Sequence, residues 1–290
     1  NEREYNRVKS ERQYFETLWE NHYPGIQVYD FPEAARNVFL NEADVKNWEQ
    51  LVDEVAEEIA LANTLSAERK PGGRIPKPHQ VNALLSWFRQ SRRGILEHAT
   101  GSGKTYTALC AIRDSLQRRE TPLVLVPSEL LLKQWYAELR ETFSDISPEI
   151  LLCGAGHTKW RTDRLVRVWS KPSQQPRIIL STLQTAVQDI FLKGLSQGEH
   201  IFLISDEVHR MGSPNNRKLF NLHSGPRLGL SATPRRAGDP EGTDAVFKYF
   251  DGTIDPPFTL ADAIKAGTLT PYMYYVHQVP LTDSEQTLWN

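Results

Sequence analysis

The stretch "GILEHATGSGKTYTALCAIRDSLQRR" (94–119) changes character twice. Its apolar start, "GILEH", reads as a strand, "ATGSGKT" (99–105) as a tight turn, and the remainder carries apolar side chains at helical spacing. A strand that passes through a glycine turn straight into a helix brings backbone N–H groups and the positive end of the helix to one point, which suits phosphate oxygens. Gly101 and Gly103 permit the turn, Thr100 and Ser102 complete the cradle, Lys104 can reach the β- and γ-phosphates of a nucleotide, and the Thr105 hydroxyl can ligate Mg²⁺. The full fingerprint has a further glycine five positions before Gly103, and His98 stands in that slot. The alternative is a turn that merely joins strand to helix, in which Lys104 would have no purpose.

Working outward, "PLVLVPS", "EILLCG", "RIILST", "HIFLISD" and "RLGLSAT" are short apolar runs, separated by helix-length stretches such as "ELLLKQWYAELRETF" and "LQTAVQDIFLKGL". Strands apolar on both faces, bracketed by helices, predict a parallel sheet covered on both sides, a doubly wound α/β domain with its ligands at the carboxyl ends of the strands.

One of those strands ends in "FLISDEVHRM" (202–211), where two adjacent carboxylates are costly to desolvate and repel one another. Beside a phosphate loop, Asp206 is placed to anchor the metal and Glu207 to orient and deprotonate a water that attacks the γ-phosphate. By chemistry alone His209 reads more readily as a structural hydrogen-bonding residue than as a catalytic one.

"ATGSGKT", "DEVH" and "LSATP" (230–234), in this order, resemble motifs I, II and III of superfamily 2 helicases, and the resemblance covers residues 75–290. It implies a RecA-like P-loop NTPase lobe, ATP and Mg²⁺ as cofactors, and His209 as the link from the γ-phosphate site to Ser231 and Thr233 of motif III. In "IPKPHQVNAL" (75–84) it implies that Gln80 reads the adenine edge. "LVLVPSELLLKQW" (123–135) and "LSTLQTA" (180–186) resemble the family's strand-holding motifs, which makes Ser128, Gln134 and Thr182 candidates for nucleic-acid phosphates; helix capping explains Ser128 and Thr182 equally well. "DEVHRMGSPNNRK" (206–218) and residues 258–289 narrow the resemblance to the XPB/UvsW-like and restriction-type branch. The implied partners are nucleic acid, DNA before RNA, a second RecA-like lobe, and a nuclease domain or subunit. An ATP-gated clamp that grips without unwinding, and an RNA motor, remain open at this point.

Two further stretches have rival readings. "HTKWRTDRLVRVWSKP" (157–172) is either a basic helical face whose Trp160 and Trp169 stack on bases, or a solvated helix with both tryptophans in the core. Arg235 and Arg236, after motif III, are expected at the surface or on the DNA side. No "QxxGRxxR" motif, which would complete an ATP site from a second lobe, occurs in these 290 residues, so the polypeptide is expected to continue and this portion alone to hydrolyse slowly.

The bulk numbers exclude little: 39% hydrophobic and 24% charged residues suit a globular chain with a sizeable core. No apolar run is long enough to span a bilayer and the polar start carries no signal-peptide pattern, so an intracellular, bacterial-type cytoplasmic location is expected, with no membrane partner. Cys110 and Cys153 lack metal-ligand spacing and read as reduced core residues. The net charge of −2 conceals an asymmetry: residues 1–70 carry 8 basic and 15 acidic side chains, net −7, leaving +5 for the rest. The expected organisation is therefore an acidic helical extension (1–70), the RecA-like lobe (71–257) and a bridge toward a second lobe (258–290).

Overall fold

The computed structural model describes residues 74–162 and 165–270. The chain divides into two units, Asn1–Ala67 and Glu68–Asn290, and every described residue belongs to the second. The expected helical extension, Arg164 of the basic stretch and positions 271–290 of the expected bridge lie outside the described residues.

Helix α1 (Pro78–Arg89) leads into β1 (Arg93–Glu97), and the glycine turn connects β1 to α2 (Lys104–Gln117). There follow β2 (Thr121–Val126), α3 (Glu129–Thr142), β3 (Glu149–Cys153), the short α4 (Leu165–Trp169) and β4 (Arg177–Thr182). Helices α5 (Leu183–Ala186) and α6 (Asp189–Gly194) precede β5 (Ile201–Asp206), then come a 3₁₀ turn at Val208–Gly212, another at Asn216–Asn221, and β6 (Arg227–Ser231). Helices α7 (Pro240–Phe250) and α8 (Leu260–Lys265) close the described part.

The six strands form one sheet in the order β1-β6-β5-β2-β4-β3, parallel throughout, as the apolar runs predict. Alternate residues serve opposite faces. Leu123, Leu125, Ile201 and Leu203 pack in the cluster with Phe191 and Phe250, while Val124 and Phe202 are buried on the other side, where Phe202 meets Trp87 of α1 at 5.3 Å between rings. The register decides where function can sit: Glu97 pairs with Ser231, Asp206 with Leu230, and Val126 with Thr182. The carboxyl ends of five strands therefore lie in one row. The free edge of β1 is covered by residues 252–258, whose backbone exchanges hydrogen bonds with Ile95, Glu97 and Ala99, so no open ladder is left on that side.

Two expected helices differ. The stretch 183–195 is two helices rather than one, because Gln188 takes an extended conformation and lets Phe191 turn into the core. The basic stretch forms a 3₁₀ turn at Lys159–Arg161 and the five-residue α4, not one continuous basic face. Trp160 is buried against Phe191, and Trp169 packs on the core beneath the Arg177 guanidinium, so both tryptophans are core residues.

Candidate active site

The phosphate loop turns on two left-handed residues, Gly101 (φ 79°) and Gly103 (φ 88°), the second being the N-cap of α2. A side chain is excluded at Gly103 for a second reason, since a Cβ there would lie 2.5 Å from Nε2 of Gln80. Gln80 is buried under the loop: its Nε2 donates to the Gly103 carbonyl (3.0 Å) and its Oε1 accepts from the Lys77 N–H (2.8 Å). The amide expected to read adenine thus makes its hydrogen bonds inside the protein. Beside it, His79 Nε2 lies 2.9 Å from the Ser102 carbonyl, and the His79 ring stacks on Phe258 at 4.0 Å between centroids. Helix α1 and the start of the expected bridge thereby brace the loop. Ser102 is buried with its hydroxyl unpartnered, whereas Thr100 and Gly101 are exposed.

Lys104 folds back over the loop and donates to the carbonyls of His98 (2.8 Å) and Ala99 (3.2 Å). Burial lowers its pKa, and the nearby Glu207 and Asp206 carboxylates act in the opposite sense. Neutral carbonyls in place of a carboxylate leave its charge uncompensated at contact distance, ready for an anion.

The two acids are held by different means. Asp206 ends β5; its Oδ2 accepts from the Trp135 indole N–H (2.8 Å) and its Oδ1 from the Glu207 backbone (3.0 Å). Glu207 begins the 3₁₀ turn in the left-handed region (φ 47°, ψ 53°), a strained conformation for a non-glycine residue that aims its side chain away from the strand. That side chain is 43% exposed and 3.4 Å from His209 Nδ1. The turn fits closely over β6 because position 229 is glycine; a Cβ there would meet Val208 at 2.9 Å.

His209 Nδ1 also lies 3.2 Å from the hydroxyl of the fully buried Ser231, and the same oxygen accepts from the Thr233 backbone N–H (3.1 Å). Thr233 therefore meets this relay through its backbone. Burial lowers the His209 pKa, Glu207 opposes that shift, and Arg210 and Arg236 reinforce it, which favours the neutral imidazole at neutral pH.

Ser128 and Thr182 both cap helices, α3 and α5, accepting from the N–H groups of Leu131 and Thr185, and Gln134 is exposed on α3. All three stand beyond the nucleotide loop, on the β2 and β4 side of the strand-end row. Arg236 corrects an expectation. It is not a surface residue: it donates to the His209 carbonyl (2.6 Å) and to Asp239 (2.8 Å), and Asp239 in turn caps α7. Arg235 is 67% exposed near Glu97. Trp135, Arg236 and His79 were not distinguishable from core or surface residues in the sequence, because each acts through a contact distant along the chain.

Do these residues fit a nucleotide and its metal? Among the described residues no group of three or more His, Cys, Asp or Glu is arranged for a metal. Asp206 and Thr105 alone would suit Mg²⁺, which keeps most of its ligands as water and phosphate oxygen. The left-handed glycines and the uncompensated Lys104 fit the phosphates. No described helix is long and apolar enough to cross a membrane.

Comparison with known families matches residues 73–236 to the model described as "Type III restriction enzyme, res subunit". Among relatives, the Haloarcula marismortui protein named "Putative DNA 3'-5' helicase Rad25" is 31% identical over 154 residues, covering 53% of this chain and 22% of that protein. The "DNA 3'-5' translocase XPB2" of Sulfurisphaera tokodaii is 29% identical over 161 residues, covering 55% of this chain and 31% of that protein. The chain thus spans between a fifth and a third of these relatives. A solved structure, a nuclease-deletion mutant of the type ISP restriction-modification enzyme LlaGI with a DNA substrate mimic, aligns with a TM-score of 0.49 at 20% identity, covering 67% of this chain and 21% of the other.

Proposed function

The chain belongs to the type III restriction enzyme res-subunit family, as a superfamily 2 motor lobe, and from that premise we propose that it is the ATP-binding lobe of a DNA-stimulated, Mg²⁺-dependent helicase or translocase. One observation supports this above the others: Lys104, Asp206, Glu207 and the His209–Ser231 pair converge at the carboxyl ends of β1, β5 and β6.

In the proposed mechanism Lys104 leaves the His98 and Ala99 carbonyls to hold the terminal phosphates, while the N–H groups of 101–105 cradle them. Thr105 and Asp206 would hold Mg²⁺, which when bound supplies Lewis-acid charge to the phosphate oxygens. The Trp135 indole keeps Asp206 in one rotamer. Glu207, partly exposed and pinned by its strained backbone, orients a water and accepts its proton. His209 and Ser231 pass the state of that carboxylate to the loop after β6, and Arg236 holds His209 from behind. Gln80 and His79 keep the phosphate loop in shape from below.

On the same reading, residues 1–70 are an extension or linker, 71–257 the lobe, and 258–290 a bridge to a second RecA-like lobe that supplies transition-state arginines. A nuclease domain or subunit is a proposed partner. Ser128, Gln134 and Thr182 are assigned to the tracked strand, and the protein to the cell interior. The relatives' names carry a 3'-5' polarity, which is proposed here too.

The test is phosphate release by the full-length protein with and without single-stranded DNA, matched RNA and Mg²⁺. DNA is expected to stimulate more than RNA. Glu207→Gln is expected to retain nucleotide binding and to slow turnover by about 10²- to 10⁴-fold. Wild-type turnover by that variant removes Glu207 as the base, and absence of stimulation by either strand removes the motor.

A further inference from the structure

The two edges of the sheet are finished differently. Beside β1 the backbone of 252–258 occupies the ladder, exchanging hydrogen bonds with Ile95, Glu97 and Ala99. At the other edge β3 pairs with β4 alone. The Glu149 N–H donates to the Pro176 carbonyl (3.0 Å), so the parallel register turns the backbone groups of Glu149, Leu151 and Cys153 toward β4 and those of Ile150 and Leu152 outward. Among the described residues, no backbone group from outside the sheet hydrogen-bonds to Ile150 or Leu152. The devices that usually blunt such an edge are missing as well. β3 contains no proline or lysine, and its one charged residue, Glu149, is bound to Arg177 at 3.2 Å.

The surroundings of this edge select what can join it. Arg177 also donates to the Val168 carbonyl (3.4 Å), which fixes the end of α4 beside the start of β3. Val168 is 48% exposed there. Arg167 on the same helix and Lys171 just beyond it are exposed, and neither forms an ion pair among the described residues. A strand edge presents donors and acceptors in alternation, a pattern that another polypeptide backbone returns and that a phosphodiester chain, which only accepts, does not. A second copy pairing through its own β3 would set like cations against each other. An extended segment bearing carboxylates satisfies both the ladder and the charges.

We propose that β3 is a docking edge at which an extended, acidic segment of a partner protein adds one more strand to the sheet, its backbone pairing with Ile150 and Leu152 and its carboxylates facing Arg167 and Lys171. Main-chain hydrogen bonds supply the affinity in such an arrangement, and the flanking side chains choose the sequence. None of these residues belongs to the nucleotide site, so the inference stands or falls independently of the motor reading.

The probe is a short fluorescent peptide of alternating valine and glutamate, titrated into the full-length protein while hydrogen exchange is followed over 149–153. Binding is expected to slow exchange of that segment about tenfold. Leu152→Pro removes one outward N–H and leaves the ladder to β4 intact, so it is expected to weaken the peptide about tenfold. If that variant does not fold, the same peptide N-methylated throughout makes the test on wild-type protein, and it is expected not to bind. Arg167→Gln and Lys171→Gln are each expected to weaken the peptide about threefold, and lysine in place of its glutamates to abolish binding. No slowing of exchange at 149–153, or equal binding by the N-methylated peptide, removes the docking edge. Equal binding by the lysine peptide removes the acidic partner. Slow exchange of 149–153 in the protein alone, or slowing by single-stranded DNA, overturns the proposal as well, because the edge is then occupied by something else.

Discussion

The two ends of the sheet treat charge in opposite ways. At the amino ends of the strands, charges satisfy one another: Arg113 grips Asp145 at 2.7 and 3.1 Å, and Arg92 grips Glu120 at 2.7 Å and reaches Asp114 at 3.5 Å. At the carboxyl ends the groups of the candidate site do not, although Glu97 at the end of β1 pairs with the exposed Arg235. Lys104 rests on two carbonyls, Asp206 on an indole and a backbone N–H, and Glu207 on a histidine whose pKa burial lowers. A charge neutralised within the fold stabilises it and is unavailable for anything else. A charge held by neutral dipoles is kept in place yet remains free to meet a ligand.

That contrast is easiest to break by exchanging the consequences. Asp145→Ala leaves the buried Arg113 with only the Thr142 carbonyl and the Phe143 ring for company, and is expected to lower unfolding free energy by about 3 kcal/mol with nucleotide affinity unchanged. Lys104→Ala is expected to do the reverse, weakening nucleotide binding about 100-fold with little change in stability. Denaturant titration and nucleotide titration of both variants decide it; equal effects on both properties from either one would erase the distinction.

A smaller effect is expected from Trp135→Phe, which removes the indole donor from Asp206 while keeping most of the apolar packing. Leaving that carboxylate oxygen unpaired is expected to lower stability by about 1–2 kcal/mol. The Mg²⁺ concentration for half-maximal turnover should also rise, because the carboxylate is no longer held in one rotamer. A stability loss with an unshifted Mg²⁺ titration would make Trp135 a core residue only.

A further effect is graded with pH. Burial, with help from His79 and Lys104, pushes the His98 pKa down to about 3. Above pH 6.5 the ring is neutral in both folded and unfolded chains. Between pH 6.5 and 3 the unfolded chain takes a proton that the folded one refuses, so stability falls with falling pH, at a limiting slope of about 1.4 kcal/mol per pH unit. His98→Gln is expected to start less stable at neutral pH and to lose stability less steeply on acidification. Parallel slopes for both proteins, by thermal melting from pH 7 to 4, would remove His98 as the cause.

Most of the scaffold was legible before any coordinates. Each of the six apolar runs is a strand, because a parallel sheet buried on both faces needs unbroken apolar sequence, and that pattern is local. The long helices α2 and α3 were equally plain. The stretch 183–195 was not, since the extended residue at Gln188 is imposed by where Phe191 must pack. In the basic stretch the reading with both tryptophans in the core holds, and only the continuous helix does not: arginines at helical spacing signal a charged face only if the backbone stays helical, and here the burial of Trp160 takes precedence.

In the candidate site, the sequence alone identified the residues that the chain carries directly off a strand end. Lys104 and Thr105 follow β1 through the glycine turn, Asp206 ends β5 with Glu207 next to it, and Ser231 ends β6; short-range order suffices because a parallel sheet brings such ends into one row. Only the tertiary structure decided what holds them. Trp135 reaches Asp206 from 71 positions away, Arg236 reaches His209 from 27, and Gln80 reaches Ser102 from 22. Local sequence specifies which groups stand at the carboxyl edge of the sheet; their partners are chosen by packing between elements, which no short stretch of sequence encodes.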